Sequence, residues 1–258
     1  MNKSSPARRV LSQIKVFDRP ISQFLEAAIN PLKLFAFFRV VFLIQEPVSF
    51  LRGYLWFKTS NNHDSNKLIK IKTPVGFLAI RTKSLHDYVT IFEVFCREDY
   101  RLRDSENVII DVGSNIGISA AYFLSRRFNT QVICYEPNPA NLGLLKLNME
   151  SFQGRFCINS FALGTEDGQF PFQFEDTGRY GSLNTSLEKS TSIIQVEVKN
   201  ILTEILHLKE SLEEINLIKI DTEGTELQLI EFLNKSDLKG YRIIAEDNRG
   251  GLYSIDAT

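Results

Sequence analysis

From residue 107 onward, short apolar runs alternate with longer segments whose apolar residues recur at helical spacing. The apolar runs predict strands at 107–112, 131–136, 156–163, 215–221 and 241–248. The intervening segments predict helices at 116–128, 139–152 and 224–235. Nearly continuous apolar strands that alternate with helices are typical of a parallel sheet covered on both faces. The hydrophobic pattern therefore predicts an α/β fold with a mostly parallel sheet.

The alternation lapses between the third and the fourth of these strands. Residues 168–175 and 192–200 have the composition of two further strands, on either side of a polar loop that contains glycines. Ahead of the alternating region, residues 68–80 predict a hairpin around a Pro-Val-Gly turn. Residues 87–100 have apolar positions at helical spacing and predict a helix that leads into the main sheet.

The first part of the chain has a different character. Residues 1–60 are helical in pattern and are interrupted by prolines. The polar, turn-rich stretch 60–67 is the best candidate for a boundary. We therefore expect a helical N-terminal arm over residues 1–60 and a larger domain over residues 61–258.

The segment 31–57 is rich in aromatic residues, but charged residues and Pro47 interrupt it. A membrane-spanning helix needs about 20 mostly apolar residues, and the uninterrupted run from Val40 to Ile44 is far shorter. Two interpretations stay open. The segment forms helices that pack on the main domain or on a partner, or it forms an interfacial helix that contacts a membrane surface, with lysine and arginine on its polar side.

Composition and charge are those of an ordinary globular protein. Of the 258 residues, 43% are hydrophobic and 24% are charged, and the net charge is -1. Without a basic excess, a nucleic-acid partner is not expected. Cys96, Cys134 and Cys157 lie far apart without a CxxC pair, which is typical of a reducing compartment such as the cytoplasm. The three histidines are equally scattered, so no metal site is expected.

Acidic residues stand at or near the ends of four predicted strands, namely Asp111, Glu136, Asp221 and Glu246. In an open α/β sheet, ligands collect beyond the carboxyl ends of the strands, where the strand order reverses. An acid that ends a buried strand loses hydration unless it finds partners, and a ligand with hydroxyl and ammonium groups would supply them. The four acids therefore predict a ligand site at this edge of the sheet.

The first strand runs into a loop with the sequence DVGSNIG, residues 111–117. Gly113 permits a turn that a Cβ would strain, and Gly117 lets the next helix approach the strand or a ligand closely. The spacing is not the GxGxxG that binds a pyrophosphate, and the acid at the start of the loop would repel a phosphate. Glu136 follows Gly117 by 19 residues and ends the second strand, where an acid binds a ribose diol in this type of fold. The loop therefore predicts a cofactor that carries a ribose and a cationic or neutral group.

Four stretches resemble the FkbM family of S-adenosylmethionine-dependent methyltransferases, namely VIIDVGSNIG, VICYEPNPANLGLLKLN, FALG and LIKIDTEGTELQLI. The similarity extends over residues 86–247 in the order of the family, and the block Ile-Lys-Ile-Asp-x-Glu-Gly-x-Glu is its most specific part. The resemblance implies the Rossmann-like class I methyltransferase fold and S-adenosylmethionine as cofactor. It also implies O-methylation of a hydroxyl, on a small-molecule or glycan acceptor such as a sugar or a secondary metabolite.

The resemblance further implies which residues surround the cofactor. The expected contacts are Asp111, Gly113, Ser114, Asn115 and Gly117 at the methionine part, Glu136 with Pro137 and Asn138 at the ribose, Ala162 and Leu163 at the adenine, and Glu93 and Tyr100 in a segment that closes over the cofactor. Many class I enzymes place an acid near the adenine amine, but here the corresponding strand end reads SFALG. That contact is therefore absent or is made by the backbone.

Asp221, in the KIDTEG block, is expected near the transferred methyl, where it would orient the acceptor hydroxyl or take its proton. Glu223 is the second catalytic candidate. Contacts to the acceptor are expected from the polar loop 175–186 and from the last strand, through Arg179, Tyr180, Ser182 and Glu246. Because a sulfonium donor is already activated, the protein mainly aligns acceptor and methyl, and no metal is expected.

Two other functions stay open at this point. The aromatic arm and the short C-terminus are compatible with a non-catalytic, membrane-associated binding protein that retains the methyltransferase fold. A nucleotide-dependent oxidoreductase on a Rossmann sheet is less consistent with the chain, because GxGxxG is missing. The family fold usually continues after the fifth strand with a helix and an antiparallel strand pair, whereas only ten residues follow Asn248, which leaves room for one short strand.

Overall fold

A computed structural model describes residues 15–16, 19–20, 31–57, 64–175, 181–183, 192–212, 214–246 and 252–257. The α-helices of this part are α1 (Pro31–Leu43), α2 (Pro47–Phe57), α3 (His86–Ile91), α4 (Ile118–Leu124), α5 (Pro139–Met149), α6 (Ile201–Ser211) and α7 (Glu226–Asn234). A π-helical segment, Phe92–Arg97, continues α3, and a 3-10 turn, Glu150–Phe152, follows α5.

The strands, in chain order, are β1 (Lys15–Val16), β2 (Arg19–Pro20), β3 (Asp64–Thr73), β4 (Gly76–Ser84), β5 (Val108–Val112), β6 (Gln131–Tyr135), β7 (Phe156–Asn159), β8 (Ala162–Gly164), β9 (Gly168–Phe174), β10 (Gly181–Ser182), β11 (Ser192–Asn200), β12 (Leu217–Ile220), β13 (Tyr241–Glu246) and β14 (Leu252–Ala257). Among the described residues, the short strands β1 and β2 pair with each other, so the helical character predicted for residues 1–60 is wrong at these positions. The hairpin predicted within residues 68–80 is confirmed by the longer antiparallel pair β3 and β4.

The main sheet has six strands in the order β14-β13-β12-β5-β6-β7. All neighbours are parallel except β14, which runs antiparallel to β13 at the edge. The prediction of a mostly parallel α/β sheet is therefore confirmed, and β14 is the one short strand that the residues after Asn248 allow. The chain order reverses at β5, so the carboxyl ends of β5 and β12 flank the switch point where ligands bind in such sheets.

Helices cover both faces of this sheet. Successive residues of a strand point to opposite faces, and Ile109 belongs to a core with α4 and α5, whereas Ile110 belongs to a second core with α6 and α7. The central strands β5, β6, β12 and β13 are buried on both sides, which explains why they read as continuous apolar runs rather than as alternating ones. The predicted arrangement of helices on both faces is confirmed.

The prediction of one strand over residues 156–163 is wrong. The segment forms two strands, because β7 ends at Asn159 in the main sheet, whereas β8 pairs in parallel with β11 in a second sheet of order β10-β9-β11-β8. Between them the chain turns, and Phe161 packs its ring against Tyr135 with 5.4 Å between centroids. Both halves of the run are apolar, so the hydrophobic pattern does not reveal where the chain changes sheets.

The two strands predicted at 168–175 and 192–200 are confirmed as the antiparallel pair β9 and β11. The sequence pattern does not predict α6, which follows β11 without a loop. Asn200 ends the strand and caps the helix, because its Oδ1 accepts hydrogen bonds from the backbone nitrogens of Leu202 at 2.9 Å and Thr203 at 3.3 Å.

Helices α1 and α2 confirm the helical character predicted for residues 31–57, and their inner sides pack on the main domain. Phe37 and Tyr54 both contact Phe92, with ring centroids 4.9 and 4.8 Å away, and Phe50 stacks on Tyr88 at 5.3 Å. The boundary proposed at 60–67 falls partly outside the described residues, so the division into two parts stays a prediction. In the part of the chain that the structure describes, no helix has the length and apolarity needed to cross a membrane.

One buried amide connects the hairpin to the main domain. Asn148, near the end of α5, donates from Nδ2 to the carbonyl oxygens of Ile116 at 2.8 Å and Arg81 at 3.1 Å, and its Oδ1 accepts from the Arg81 nitrogen at 2.8 Å. A single side chain thus joins β4, α5 and the loop after β5.

We expect Asn148→Ala to lower the free energy of unfolding by about 2 to 4 kcal/mol, because it leaves several buried backbone groups without partners. Urea unfolding followed by circular dichroism would measure the change. The control is Asn234→Ala, at the exposed end of α7, which should shift stability by less than about 0.5 kcal/mol. Equal midpoints for the two variants would contradict the role assigned to Asn148.

Candidate active site

Two clefts open at the carboxyl ends of β5 and β12. The first encloses about 600 Å³ of space between the protein atoms, part of which is open to solvent. Its apolar lining includes Val112, Leu163 and Phe172, and its polar lining includes Asn115 and Glu136. A flat, apolar group with attached hydroxyls matches this combination.

The second cleft, of about 740 Å³, lies on the other side of the same loop. Its lining is rich in carboxylates, which come from Glu93, Asp99, Asp221, Glu223 and Glu246. The two clefts share Gly113, Asn115, Asp221 and Glu223, so they meet over the loops that follow β5 and β12. A single extended ligand would therefore place one end in each cleft.

The loop after β5 is folded tightly against the loop after β12. Gly113 has a φ of +77°, and a Cβ at this position would lie 1.9 Å from the backbone oxygen of Asp221. The nitrogens of Gly113 and Ser114 both donate to the carbonyl of Tyr135, at 3.0 and 3.1 Å. Only glycine fits at position 113, because both the positive φ and the close approach exclude a side chain.

Asp111 lies beneath this loop and lines neither cleft. It is completely buried, and its Oδ1 lies 3.0 Å from Nζ of the equally buried Lys219, while its Oδ2 accepts a hydrogen bond from Ser119 Oγ at 2.6 Å. Lys219 also donates to the carbonyl of Gly113 at 2.9 Å and lies 3.6 Å from Oδ2 of Asp221. The lysine therefore connects the strand-end acid, the glycine loop and the second acid.

Burial alone would lower the pKa of Lys219, but the negative charges of Asp111 and Asp221 outweigh it and raise the pKa above its ordinary value. The ammonium group thus stays protonated at neutral pH. Lys219 stands in an otherwise apolar strand, and its ion pair with Asp111 gives it a structural role there.

Glu136 fixes the outer side of the loop. Its buried carboxylate accepts hydrogen bonds from the backbone nitrogens of Asn115 at 2.8 Å and Asn138 at 2.9 Å, and from Asn141 Nδ2 at 3.2 Å. Burial raises the pKa of Glu136, although these donors work against the shift. A carboxylate offers about four acceptor positions, so Glu136 retains capacity for a hydroxyl in the first cleft.

Asp221 faces both clefts and has about a third of its side chain exposed. The Tyr100 hydroxyl lies 3.5 Å from its Oδ2 and 3.1 Å from Oε2 of Glu246, and thus bridges the two acids. Burial raises the pKa of Asp221, against the opposing charge of Lys219, and burial also raises the pKa of Glu246. Burial raises the pKa of Glu93, across the cleft, to about 7. Carboxyl groups with raised pKa values are suited to exchange protons near neutral pH.

The backbone after β12 is unusual. Glu223 has a φ of +57°, in the left-handed region that non-glycine residues rarely adopt. Glu226 supports this turn, because its carboxylate accepts from the backbone nitrogens of Thr222 at 2.8 Å and Gly224 at 2.9 Å. A strained residue at the meeting point of two clefts is typical of a functional site.

The structure brings most of the sequence-predicted residues to the clefts. Pro137, Ala162 and Leu163 line the first cleft with Glu136, and Ser114, Glu93, Tyr100 and Glu246 line the second. The predicted residues that line neither cleft are Asp111, Gly117, Asn138 and Ser182, which lie behind or beside them. Arg179 and Tyr180 lie outside the described residues, so their proposed acceptor contacts stay predictions.

Other lining residues were missed from the sequence. Ser119 and Thr222 each stand within two residues of a predicted site residue, and that proximity was a usable signal. Phe172 and Leu183 reach the first cleft from the second sheet. No local motif marks these two, because their position depends on how that sheet packs beside the main one.

The variant Lys219→Met tests how much the ion pair between Lys219 and Asp111 contributes to stability. The change leaves the buried Asp111 carboxylate without its counter-charge, and we expect the free energy of unfolding to fall by about 3 to 5 kcal/mol. Urea unfolding would measure it. The matched control is the double variant Asp111→Asn/Lys219→Met, which removes both charges and should recover most of the loss. If Lys219→Met alone were as stable as the wild type, the stabilising role assigned to the ion pair would be contradicted.

Comparison with known proteins identifies the family that the chain resembles. The sequence model of the Methyltransferase FkbM domain matches residues 111–249. The protein named Methyltransferase 1 from Beauveria bassiana is 26% identical over 152 residues, covering 50% of this chain and 59% of the relative. The hexuronic acid methyltransferase AglP from Haloferax volcanii is 25% identical over 155 residues, covering 60% of this chain and 61% of the relative. The chain thus spans about three fifths of the length of these relatives.

Solved structures resemble the chain only weakly. A putative O-methyltransferase from Klebsiella pneumoniae has 11% identity and a TM-score of 0.32, with 93% of this chain and 74% of that chain covered. The precorrin-6y C5,15-methyltransferase from Geobacter metallireducens has 15% identity and a TM-score of 0.33, with 64% and 61% covered. Such scores add nothing to the topology described above. The family match, in contrast, covers more than half of the residues and includes both loops of the site, and the chain therefore belongs to the FkbM methyltransferase family.

Proposed function

We propose that the chain is an S-adenosylmethionine-dependent O-methyltransferase that acts on a hydroxyl of a sugar, a glycan or a secondary metabolite. The observation that carries this proposal is the meeting of an apolar, hydroxyl-binding cleft and an acidic cleft at Gly113, Asn115 and Asp221. Family membership supports the reaction class, and the site supports the kind of ligand.

The residues present fit this cofactor. The apolar side chains of Ala162 and Leu163 suit an adenine ring, and the Glu136 carboxylate suits the two hydroxyls of a ribose. The acids of the second cleft, Glu93 and Asp221 among them, suit an ammonium group. When bound, S-adenosylmethionine supplies a methyl group that its sulfonium already activates.

Asp221 is the residue that we propose as the proton acceptor for the substrate hydroxyl. Its carboxylate is accessible from both clefts, and the Tyr100 hydroxyl lies between it and Glu246, 3.5 Å from the first and 3.1 Å from the second. Lys219 keeps a positive charge beside it and so favours the ionised form that accepts a proton. Asp111, which touches neither cleft, acts by holding Lys219 and the glycine loop in place.

The acceptor is proposed to be a sugar hydroxyl because a relative from Haloferax volcanii is named as a hexuronic acid methyltransferase. The acceptor contacts that we propose are Glu246, which lines the second cleft, and Ser182, whose neighbours Gly181 and Leu183 line the first. Arg179 and Tyr180, which lie outside the described residues, complete the proposed set. All three cysteines are free thiols, which supports a cytoplasmic location.

We expect the purified chain to bind S-adenosylhomocysteine and not NAD in calorimetric titrations. Glu136→Gln should weaken that binding by about 10- to 100-fold, because a hydrogen bond to a charged acceptor contributes about 1.5 to 3 kcal/mol. Glu150→Gln, at an exposed position, is the control and should leave the affinity unchanged. Binding of NAD alone would favour an oxidoreductase, and binding of neither ligand would favour a non-catalytic protein.

Asp221→Asn should lower kcat by about 10²- to 10⁴-fold, the usual contribution of a general base, and change the affinity for S-adenosylhomocysteine little. Activity of the wild type should fall as the pH drops through the raised pKa of Asp221, because a protonated carboxyl cannot accept a proton. Methyl transfer from radiolabelled S-adenosylmethionine to a panel of hexuronic acid and neutral sugar glycosides would measure both effects. A variant with wild-type kcat would remove Asp221 from the mechanism.

A further inference from the structure

The outer side of α1 is an unpartnered apolar stripe. Its members are Leu34, Phe35, Phe38, Val41 and Phe42, and each is between 47% and 74% exposed. Their spacing of three and four residues puts them on one side of the helix, opposite the buried Ala36 and Val40. Exposed apolar residues also occur on the next helix, α2, at Val48 and Leu55.

No charged residue interrupts this stripe. The described arginine of α1, Arg39, stands at its margin and forms an ion pair with Glu98 at 2.5 Å. Exposed apolar patches of this kind on a folded domain mark an interaction surface rather than a random deviation.

Charge is divided very unevenly along the chain. Residues 1–84 contain fourteen lysines and arginines against four acids, whereas residues 85–258 contain sixteen against twenty-seven. The net charge of -1 conceals this division. The stripe therefore belongs to the strongly basic third of the molecule, and the candidate active site belongs to the acidic remainder.

Part of the basic charge is held next to α1 by backbone contacts. Ile44, just after α1, forms an antiparallel bridge with Ile71 of β3, and the Gln45 nitrogen donates to the Lys70 carbonyl at 3.0 Å. The side chains of Lys67, Lys70 and Lys72 on this strand are exposed. Lys70 and Lys72 are two residues apart and share one face of the strand, whereas Lys67 lies on the other. An uncharged apolar helix face beside exposed lysines is the pattern of an interfacial membrane-binding surface.

We propose that residues 31–57 and 64–72 form a docking surface for an anionic phospholipid bilayer. The apolar stripe of α1 lies in the boundary between headgroups and acyl chains, and Lys70 and Lys72 of β3 lie against the lipid phosphates. With 13 residues, α1 is about 20 Å long, so it lies along the surface and does not cross the bilayer. This inference is independent of the proposed reaction.

Charge and composition favour lipid over the other occupants. A second copy of the chain would bring two basic thirds together, which is unfavourable. A nucleic acid would favour free basic residues interleaved with the aromatic ones, whereas Arg39, the basic residue between Leu34 and Phe42, is paired with Glu98. An anionic bilayer satisfies both the apolar stripe and its basic surroundings.

The test is flotation of the full chain with vesicles of phosphatidylcholine alone or mixed with phosphatidylglycerol. We expect binding about tenfold or more stronger to the anionic vesicles, and weaker binding at higher salt. Phe38→Ser/Phe42→Ser and Lys70→Gln/Lys72→Gln should each reduce binding by about tenfold or more. The matched controls are Leu227→Ser, an exposed apolar position on α7, and Lys235→Gln/Lys239→Gln, exposed lysines of the acidic part, and these should bind like the wild type.

The same preparations are titrated with S-adenosylhomocysteine. This titration separates loss of vesicle binding from loss of ligand binding at the candidate active site. Equal or absent binding to the two vesicle types would overturn the proposal. It would also be overturned if the stripe variants changed only the size of the particle in solution, which indicates that a second copy covers the stripe. Binding to labelled single-stranded RNA that is lost in the lysine variants, without vesicle binding, would replace lipid by nucleic acid.

Discussion

A positive and a negative charge face each other inside the sheet, on neighbouring strands and in direct register, at Lys219 and Asp111. Both side chains are almost completely buried, so each charge depends on the other, and losing one would leave a buried charge without compensation. The ammonium group also holds the Gly113 carbonyl and lies near Asp221. The positions of both loops that form the clefts thus follow from this one pair.

Because of this ion pair, the acids at the strand ends differ in their surroundings and are suited to different roles. Asp111 is enclosed and serves as a support, whereas Glu136 and Asp221 retain free acceptor capacity toward the clefts. The cleft on the Glu136 side is largely apolar, and the cleft that contains Glu246 is acidic. Because the environments differ, the acids of one sheet edge can bind hydroxyls, attract a cation and accept a proton without competing for the same role.

Much of this could be predicted from the sequence, since strands buried on both faces give unmistakable apolar runs and place Glu136 and Asp221 at one edge. The sequence could not show that Asp111 turns away from the clefts, because that depends on Lys219, 108 positions later, being its register neighbour. It could not show the change of sheet after Asn159 either, because both strands there are equally apolar. Contacts from the second sheet, such as Phe172, depend on packing that no local pattern encodes.

The missing side chain at Gly113 has a mechanical consequence. With the Asp221 carbonyl at backbone contact distance, the loop after β5 and the loop after β12 cannot move independently toward each other. We therefore expect the two loops to move together, so that a displacement of the loop proposed to hold the cofactor is transmitted to Asp221, the proposed proton acceptor. Such coupling would keep donor and acceptor aligned, and it means that the shape of one loop limits which substitutions the other tolerates.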